Sequence, residues 1–151
     1  MSYVTGPRDM PACVFCTAAA GSDDADALVL HRGDGAYVIM NRYPYNNGHL
    51  MVVPYAHVPR VTDLDPATAA ELIALTQRAQ IVVEQAMRPQ GFNLGMNQGT
   101  AAGAGIEEHI HMHLVPRWSG DTNFMPTIGD TRVIPQHLDD TYALLKEGFR
   151  Q

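Results

Sequence analysis

The chain has 151 residues, a size for one domain with a real core, and its 46% hydrophobic and 17% charged residues are ordinary for a globular protein. A formal charge of −6 argues against a general nucleic-acid or anionic-membrane surface, since either needs a net basic face, although local donors could still hold one anionic small molecule. No apolar run approaches membrane-span length and the opening MSYVTGPRDMPACVFC has no signal-peptide core, so a cytoplasmic location is expected, with no membrane and no nucleic-acid partner.

No internal repeat, linker or low-complexity tract divides the chain, and a single domain over residues 1–151 is expected, opened by an N-terminal segment of residues 1–25. That segment holds the only two cysteines, Cys13 and Cys16, spaced Cys-Val-Phe-Cys. In a reducing compartment this spacing points to metal or redox chemistry rather than a structural disulfide. The redox form belongs at the strand-to-helix junction of a βαβ unit, whereas this pair stands before any strand, so structural zinc is favoured over an empty reduced pair. Zinc needs two further ligands, which His57 and one histidine of the HIHMH row (109–113) could supply.

ALVLHR (27–32) and AYVIMNR (36–42) are β-rich runs around a Gly-Asp-Gly hairpin signal. HLMVVP (49–54) reads as a third strand, entered from the Pro- and Asn-Gly-containing loop YPYNNG. Asp65-Pro66 has the form of an N-cap followed by proline at the first helical position. Apolar residues then recur at Ala69, Leu72, Ile73, Ala79, Val83, Ala86 and Met87, an amphipathic helix stopped before Pro89. FNLGMNQ (92–98) is a fourth strand, a glycine-rich loop GTAAGAGIEE follows, and a last helix covers about 135–149. Strands in succession with one helix inserted and another appended describe an α+β domain on an antiparallel sheet.

Between that loop and the last helix lies EEHIHMHLVPRW (107–118), which places three of the chain's seven histidines at every second position. On a strand His109, His111 and His113 would stand in one row as the fifth strand, with Ile110, Met112 and Leu114 buried behind them. Histidine titrates nearest neutrality, so it serves as nucleophile, general acid or metal ligand with little tuning. His111 is the best candidate nucleophile because it alone has an imidazole on both sides. Attack of its ring nitrogen on phosphorus would give a phosphoramidate, with His113 donating to the phosphate oxygens. The glycines ahead of the row, with Gly103, Gly105 and the adjoining Ile106 nearest it, would let backbone N–H groups approach an anion. The loop lacks the spacing and lysine of a Walker P-loop.

HIHMHLVPRW resembles the signature of the histidine triad (HIT) family, and the resemblance extends through CVFC, MNRYPYNNGHLMVVPYAHV, GFNLGMNQG, AGAGIEEHIHMHLVPRWSGDTNFMP and RVIPQ. It is nearest the bacterial branch related to diadenosine tetraphosphate phosphorylases and hydrolases. The resemblance implies five antiparallel strands with two main helices, a sheet extended across a homodimer, and a site for the α-phosphate of a purine nucleotide or dinucleoside polyphosphate. It makes His111 the nucleophile of a nucleotidyl-histidine intermediate and places His113 on the phosphate. Asn41 then falls at the ribose, His49 close to the nucleotide and Asn97 at the phosphate or leaving group. It also matches Cys13, Cys16, His57 and His109 to the ligands of zinc-containing relatives. One departure stands out: many relatives carry Ser or Thr shortly before the triad, and here Gly105-Ile106-Glu107-Glu108 occupies those positions. Whether water or inorganic phosphate accepts the nucleotidyl group stays open at this level. So do a nucleotide-binding or regulatory protein with little turnover, and a zinc hydrolase, which would need an open coordination position.

Overall fold

The computed structural model describes residues 12–121 and 135–151; the stretches TNFMP and RVI named above lie outside them. Five strands, β1 (Val29–Arg32), β2 (Ala36–Met40), β3 (Leu50–Pro54), β4 (Gly91–Gly95) and β5 (Met112–Arg117), form one antiparallel sheet in the order β1-β2-β3-β5-β4. The Gly33–Gly35 turn closes the expected β1–β2 hairpin, and a bulge between Val29 and His31 shifts its register. Each strand is shorter than its apolar run. Ala27 ends a short helix, Asn41 and Arg42 leave the ladder, and Met96–Gln98 belong to the loop after β4.

Residues paired across a rung share a face of the sheet. Tyr37 with Val53, and Ile39 with Met51 and His113, therefore lie on one face; Val38 with Val52 and Met112, and Leu50 with Leu114, lie on the other. Both faces are covered, so β2 and β3 are buried at every position. The long helix α3 (Pro66–Met87) packs on β2, β3 and β5, and α4 (Pro135–Phe149) packs on α3 and β1.

α3 begins as its sequence requires. The Asp65 carboxylate accepts the Thr68 N–H at 2.9 Å and Pro66 opens the first turn, a cap worth about 1 kcal/mol. Its buried side is Leu72, Leu75, Thr76, Ala79, Val82 and Val83. Leu72, Ala79 and Val83 are buried where the periodicity put them and Ala86 and Met87 pack against the core, but Ile73 is 50% exposed, and Leu75, Thr76 and Val82 complete the buried side instead. Thr76 enters the core because its hydroxyl donates to the Leu72 carbonyl at 2.7 Å.

Two short helices, α1 (Val14–Ala20) and α2 (Asp24–Ala27), occupy the N-terminal segment. α1 has no side-chain cap at its start. It is held from outside: the Tyr37 hydroxyl donates to the Phe15 carbonyl at 2.7 Å, and the Arg32 guanidinium donates to the carbonyls of Ala18, Ala19 and Gly21 while pairing with Asp24 at 2.9 Å. α1 thus lies on the face that carries His113. Among the described residues no helix is long and apolar enough to cross a membrane.

Candidate active site and metal centre

The three histidines are not three rungs of one strand. The ladder with β3 begins at the Val52–Met112 pair, and ahead of it the Ile110 N–H donates to Val58, 2.7 Å away. His109 and His111 therefore precede β5 and only His113 stands on it. The expected apolar residues Ile110, Met112 and Leu114 are buried, but so are His109 and His111. Phe15 of α1 explains this: its ring lies 5.4 Å from the His109 ring and 4.8 Å from that of His111, while His111 and His113 are 4.7 Å apart, centroid to centroid.

Hydrogen bonds assign the proton on each ring. The His109 ring meets the Pro54 carbonyl through Nε2 at 2.7 Å, so Nε2 carries hydrogen and Nδ1 is bare. His111 Nδ1 lies 2.9 Å from the His109 carbonyl and must donate to it, leaving His111 Nε2 as a free lone pair. The Tyr45 backbone N–H points at His49 Nδ1 at 3.2 Å, and the Asn41 amide reaches the same atom at 3.4 Å, its oxygen being engaged by the Tyr43 N–H. His49 therefore holds its proton on Nε2 and donates it to His113 Nδ1 at 2.9 Å, which leaves His113 with hydrogen on Nε2. The result is a bare nitrogen on His111 beside an N–H donor on His113.

Burial keeps these rings uncharged at neutral pH. It lowers His49 to about 3, aided by the facing charges His113 and His111 would carry, and it lowers His113 to about 4, aided by His111. Burial also lowers His111, against the opposing pull of its bond to the His109 carbonyl. Neutral rings are what a histidine nucleophile and a hydrogen-bond donor require.

On the other side of His109, Cys13, Cys16, His57 and His109 bring one ligand atom each within 4.8 Å of one another. Cys13 Sγ and Cys16 Sγ lie 3.4 and 3.6 Å from His109 Nδ1, Cys16 Sγ is 3.4 Å from His57 Nδ1, and the two Nδ1 atoms are 3.1 Å apart. The edges of a tetrahedral Cys2His2 zinc shell, built from its usual bond lengths, are about 3.3–3.8 Å. The donor set and spacing fit such an ion, and the Pro54 carbonyl already fixes the His109 tautomer that would bind it. Without a cation, burial and then the neighbouring Cys13 thiol push the Cys16 thiol upward.

The remaining expected residues spread around this centre. Asn41 and His49 adjoin His113 through the bonds above. Asn97 is half-buried just after β4; Gly103 and Gly105 are exposed in the following loop, and Ile106 packs against the core. Gly103 sits at φ +81°, ending a 3-10 turn over Thr100–Ala102 in a left-handed conformation that favours glycine. A cavity of about 440 Å³ opens beside His57, between Arg60, Gln98 and Glu107–Glu108. Sequence reasoning missed Phe15, Tyr45 and the Pro54 carbonyl. Only Phe15 carried a signal, as the large apolar residue between the cysteines.

The HIT domain profile matches residues 22–120. The AP-4-A phosphorylase of Mycobacterium tuberculosis is 52% identical over 122 residues, 81% of this chain, which spans 63% of that protein's length. The asymmetrical bis(5'-nucleosyl)-tetraphosphatase of Schizosaccharomyces pombe is 31% identical over 62% of this chain and 50% of its own length. Among solved structures, a Zn-bound histidine triad family protein from Mycobacterium smegmatis superposes with a TM-score of 0.74 at 29% identity, covering 93% of this chain and 94% of that one. Sequence, sheet order and the clustered histidines converge, and the chain belongs to the HIT domain family.

Proposed function

We propose that this protein transfers a nucleotidyl group from a dinucleoside polyphosphate to inorganic phosphate through a nucleotidyl-His111 intermediate. The observation that carries the reading is the bare Nε2 of His111 beside the N–H of His113, fixed by bonds made behind both rings. In the first step His111 Nε2 forms a bond to the α-phosphorus while the bond from phosphorus to the bridging oxygen breaks, and the remaining nucleoside polyphosphate leaves with that oxygen. The ring becomes cationic, and its Nδ1–H keeps donating to the His109 carbonyl, which stabilises the charge as it develops. His113 Nε2–H binds a non-bridging oxygen. In the second step a phosphate oxygen attacks, the N–P bond breaks and His111 is restored.

The stretch Gly105-Ile106-Glu107-Glu108 offers no hydroxyl to protonate a leaving group. A polyphosphate leaves as an anion already stabilised at neutral pH and needs no such proton, whereas an amine does. This favours dinucleoside polyphosphates over adenylated amines. The relationship to the phosphorylase favours phosphate as acceptor; the weaker relationship to the tetraphosphatase supports water as the second reading.

We also assign Cys13, Cys16, His57 and His109 as ligands of a structural zinc. Bound there, the ion would neutralise the thiolates and tie α1 to the segment carrying His111, with four protein ligands leaving no position for water. The chain is read as one HIT unit that pairs as a homodimer through β4. That edge strand, Gly91–Gly95, exposes Asn93, Leu94 and Gly95 and carries neither lysine nor proline to block pairing.

Incubating the protein with diadenosine tetraphosphate tests the reaction: ATP and ADP should form in proportion to added phosphate, with His111→Ala at least about 10³-fold slower and nucleotide affinity nearly unchanged. ATP and AMP at a rate indifferent to phosphate would establish the hydrolase, and no cleavage at all the binding protein. For the metal, Cys13→Ala should lose zinc by elemental analysis and melt at lower temperature yet retain measurable turnover; a folded variant without turnover would mark the metal as catalytic. Sedimentation should give a dimer at micromolar concentration and a monomer for Leu94→Pro, which removes a donor that the ladder alternation turns away from β5.

A further inference from the structure

We propose that Asp121 and Asn46, outside the histidine cluster, are positioning residues that decide which ring nitrogen of His49, and through it of His113, carries the proton. The inference rests on the reading of His113 as the donor to the phosphate.

The Asp121 carboxylate accepts Arg117 Nε–H and Nη2–H, the Trp118 backbone N–H, each at 2.9 Å, and the Asn46 amide at 2.6 Å. Arg117, Trp118 and Asn46 hold its carboxyl well below the usual carboxylate range, so it stays an acceptor. The Asn46 Nδ2 also faces the Pro116 carbonyl at 3.0 Å. With acceptors on both sides, only the amide nitrogen can point there, and the side chain of Asn46 has one orientation.

Asn46 sits in the loop that delivers His49. Its carbonyl accepts the His49 N–H at 3.1 Å, and the Asn41 N–H closes the loop onto the His49 carbonyl at 3.0 Å. Gly48 permits the turn at φ +82°, where a Cβ would come within 2.7 Å of Met87 Sδ. The Thr141 hydroxyl on α4 bonds Asn47 at 3.0 Å. Anchored at Asn46, the backbone aims the Tyr45 N–H at His49 Nδ1.

That N–H makes Nδ1 an acceptor and confines the His49 proton to Nε2. If it turned away, His49 could hold its proton on Nδ1 and present a bare Nε2 to His113. The His113 proton would then move to Nδ1, leaving a lone pair where a phosphate oxygen must bind. A carboxylate at the end of β5 thus governs whether His113 attracts or repels phosphate.

Long-range 1H–15N spectra of the histidine rings, recorded on the zinc-loaded full chain at neutral pH, test this without substrate. The native protein should show the Nε2–H tautomer at both His49 and His113. Asn46→Ala, and the isosteric Asn46→Asp that replaces donors by acceptors, should convert both rings to mixtures. Asp121→Asn, whose carbonyl can still accept from Asn46, should restore the native pattern where Asp121→Ala does not. Turnover of the mixed-tautomer variants should fall about 10- to 100-fold in kcat with little change in KM. Native tautomers in any folded Asn46 variant overturn the positioning role, whatever the activity. Altered tautomers in a family of variants whose parent cleaves no dinucleoside polyphosphate would support it and defeat the functional reading instead.

Discussion

The whole centre depends on His109 being gripped at three points. Its Nε2–H is held by the Pro54 carbonyl, its Nδ1 faces the two cysteines and His57, and its own carbonyl takes the Nδ1–H of His111. One residue therefore joins the end of β3, the N-terminal helix α1 and His111. Because each bond uses a different atom of His109, they do not compete. Each also fixes the state the next requires: a proton on Nε2 frees Nδ1 for the metal-type cluster, and the His109 carbonyl, by taking the Nδ1–H of His111, leaves its Nε2 bare.

A second chain of bonds reaches the same place from the opposite side, running from Asp121 through Asn46 and the Tyr45 N–H to His49 and His113. The two arms produce complementary ends, an acceptor and a donor, on rings 4.7 Å apart. Neither ring carries charge at neutral pH, because His111 is buried against Phe15 and the half-buried His113 lies between His111 and Tyr45. Burial costs solvation, and the bonds behind the rings recover it, so preorganisation and neutrality come from the same packing.

Much of this was legible in the sequence, for reasons that also explain the misses. The Asp65-Pro66 cap and the stop before Pro89 bounded α3 because they act locally. The five β-rich runs gave an antiparallel sheet of five strands, yet each overran its ladder, since β propensity does not register where a partner strand ends. The alternation of His109, His111 and His113 with apolar residues placed them correctly in extended chain, but it presumed one solvated face. α1 covers that face, and α1 escaped notice because its stability comes from Tyr37 and Arg32, residues distant in sequence, rather than from a cap of its own. Residue types alone offered His57 and one histidine of the row as partners for Cys13 and Cys16, but singling out His109 needed the resemblance to the family, for separations of 41 and 96 residues carry no local signal.

If His111 Nε2 becomes bonded to phosphorus, mass spectrometry of protein quenched in base during reaction with diadenosine tetraphosphate without added phosphate will show the adduct. A phosphoramidate survives base, so a single nucleoside monophosphoryl group is expected on the peptide carrying His111, discharged on addition of phosphate with release of ADP. An adduct on another residue, or steady turnover with no adduct accumulating on His111 at any time of quench, would contradict that expectation.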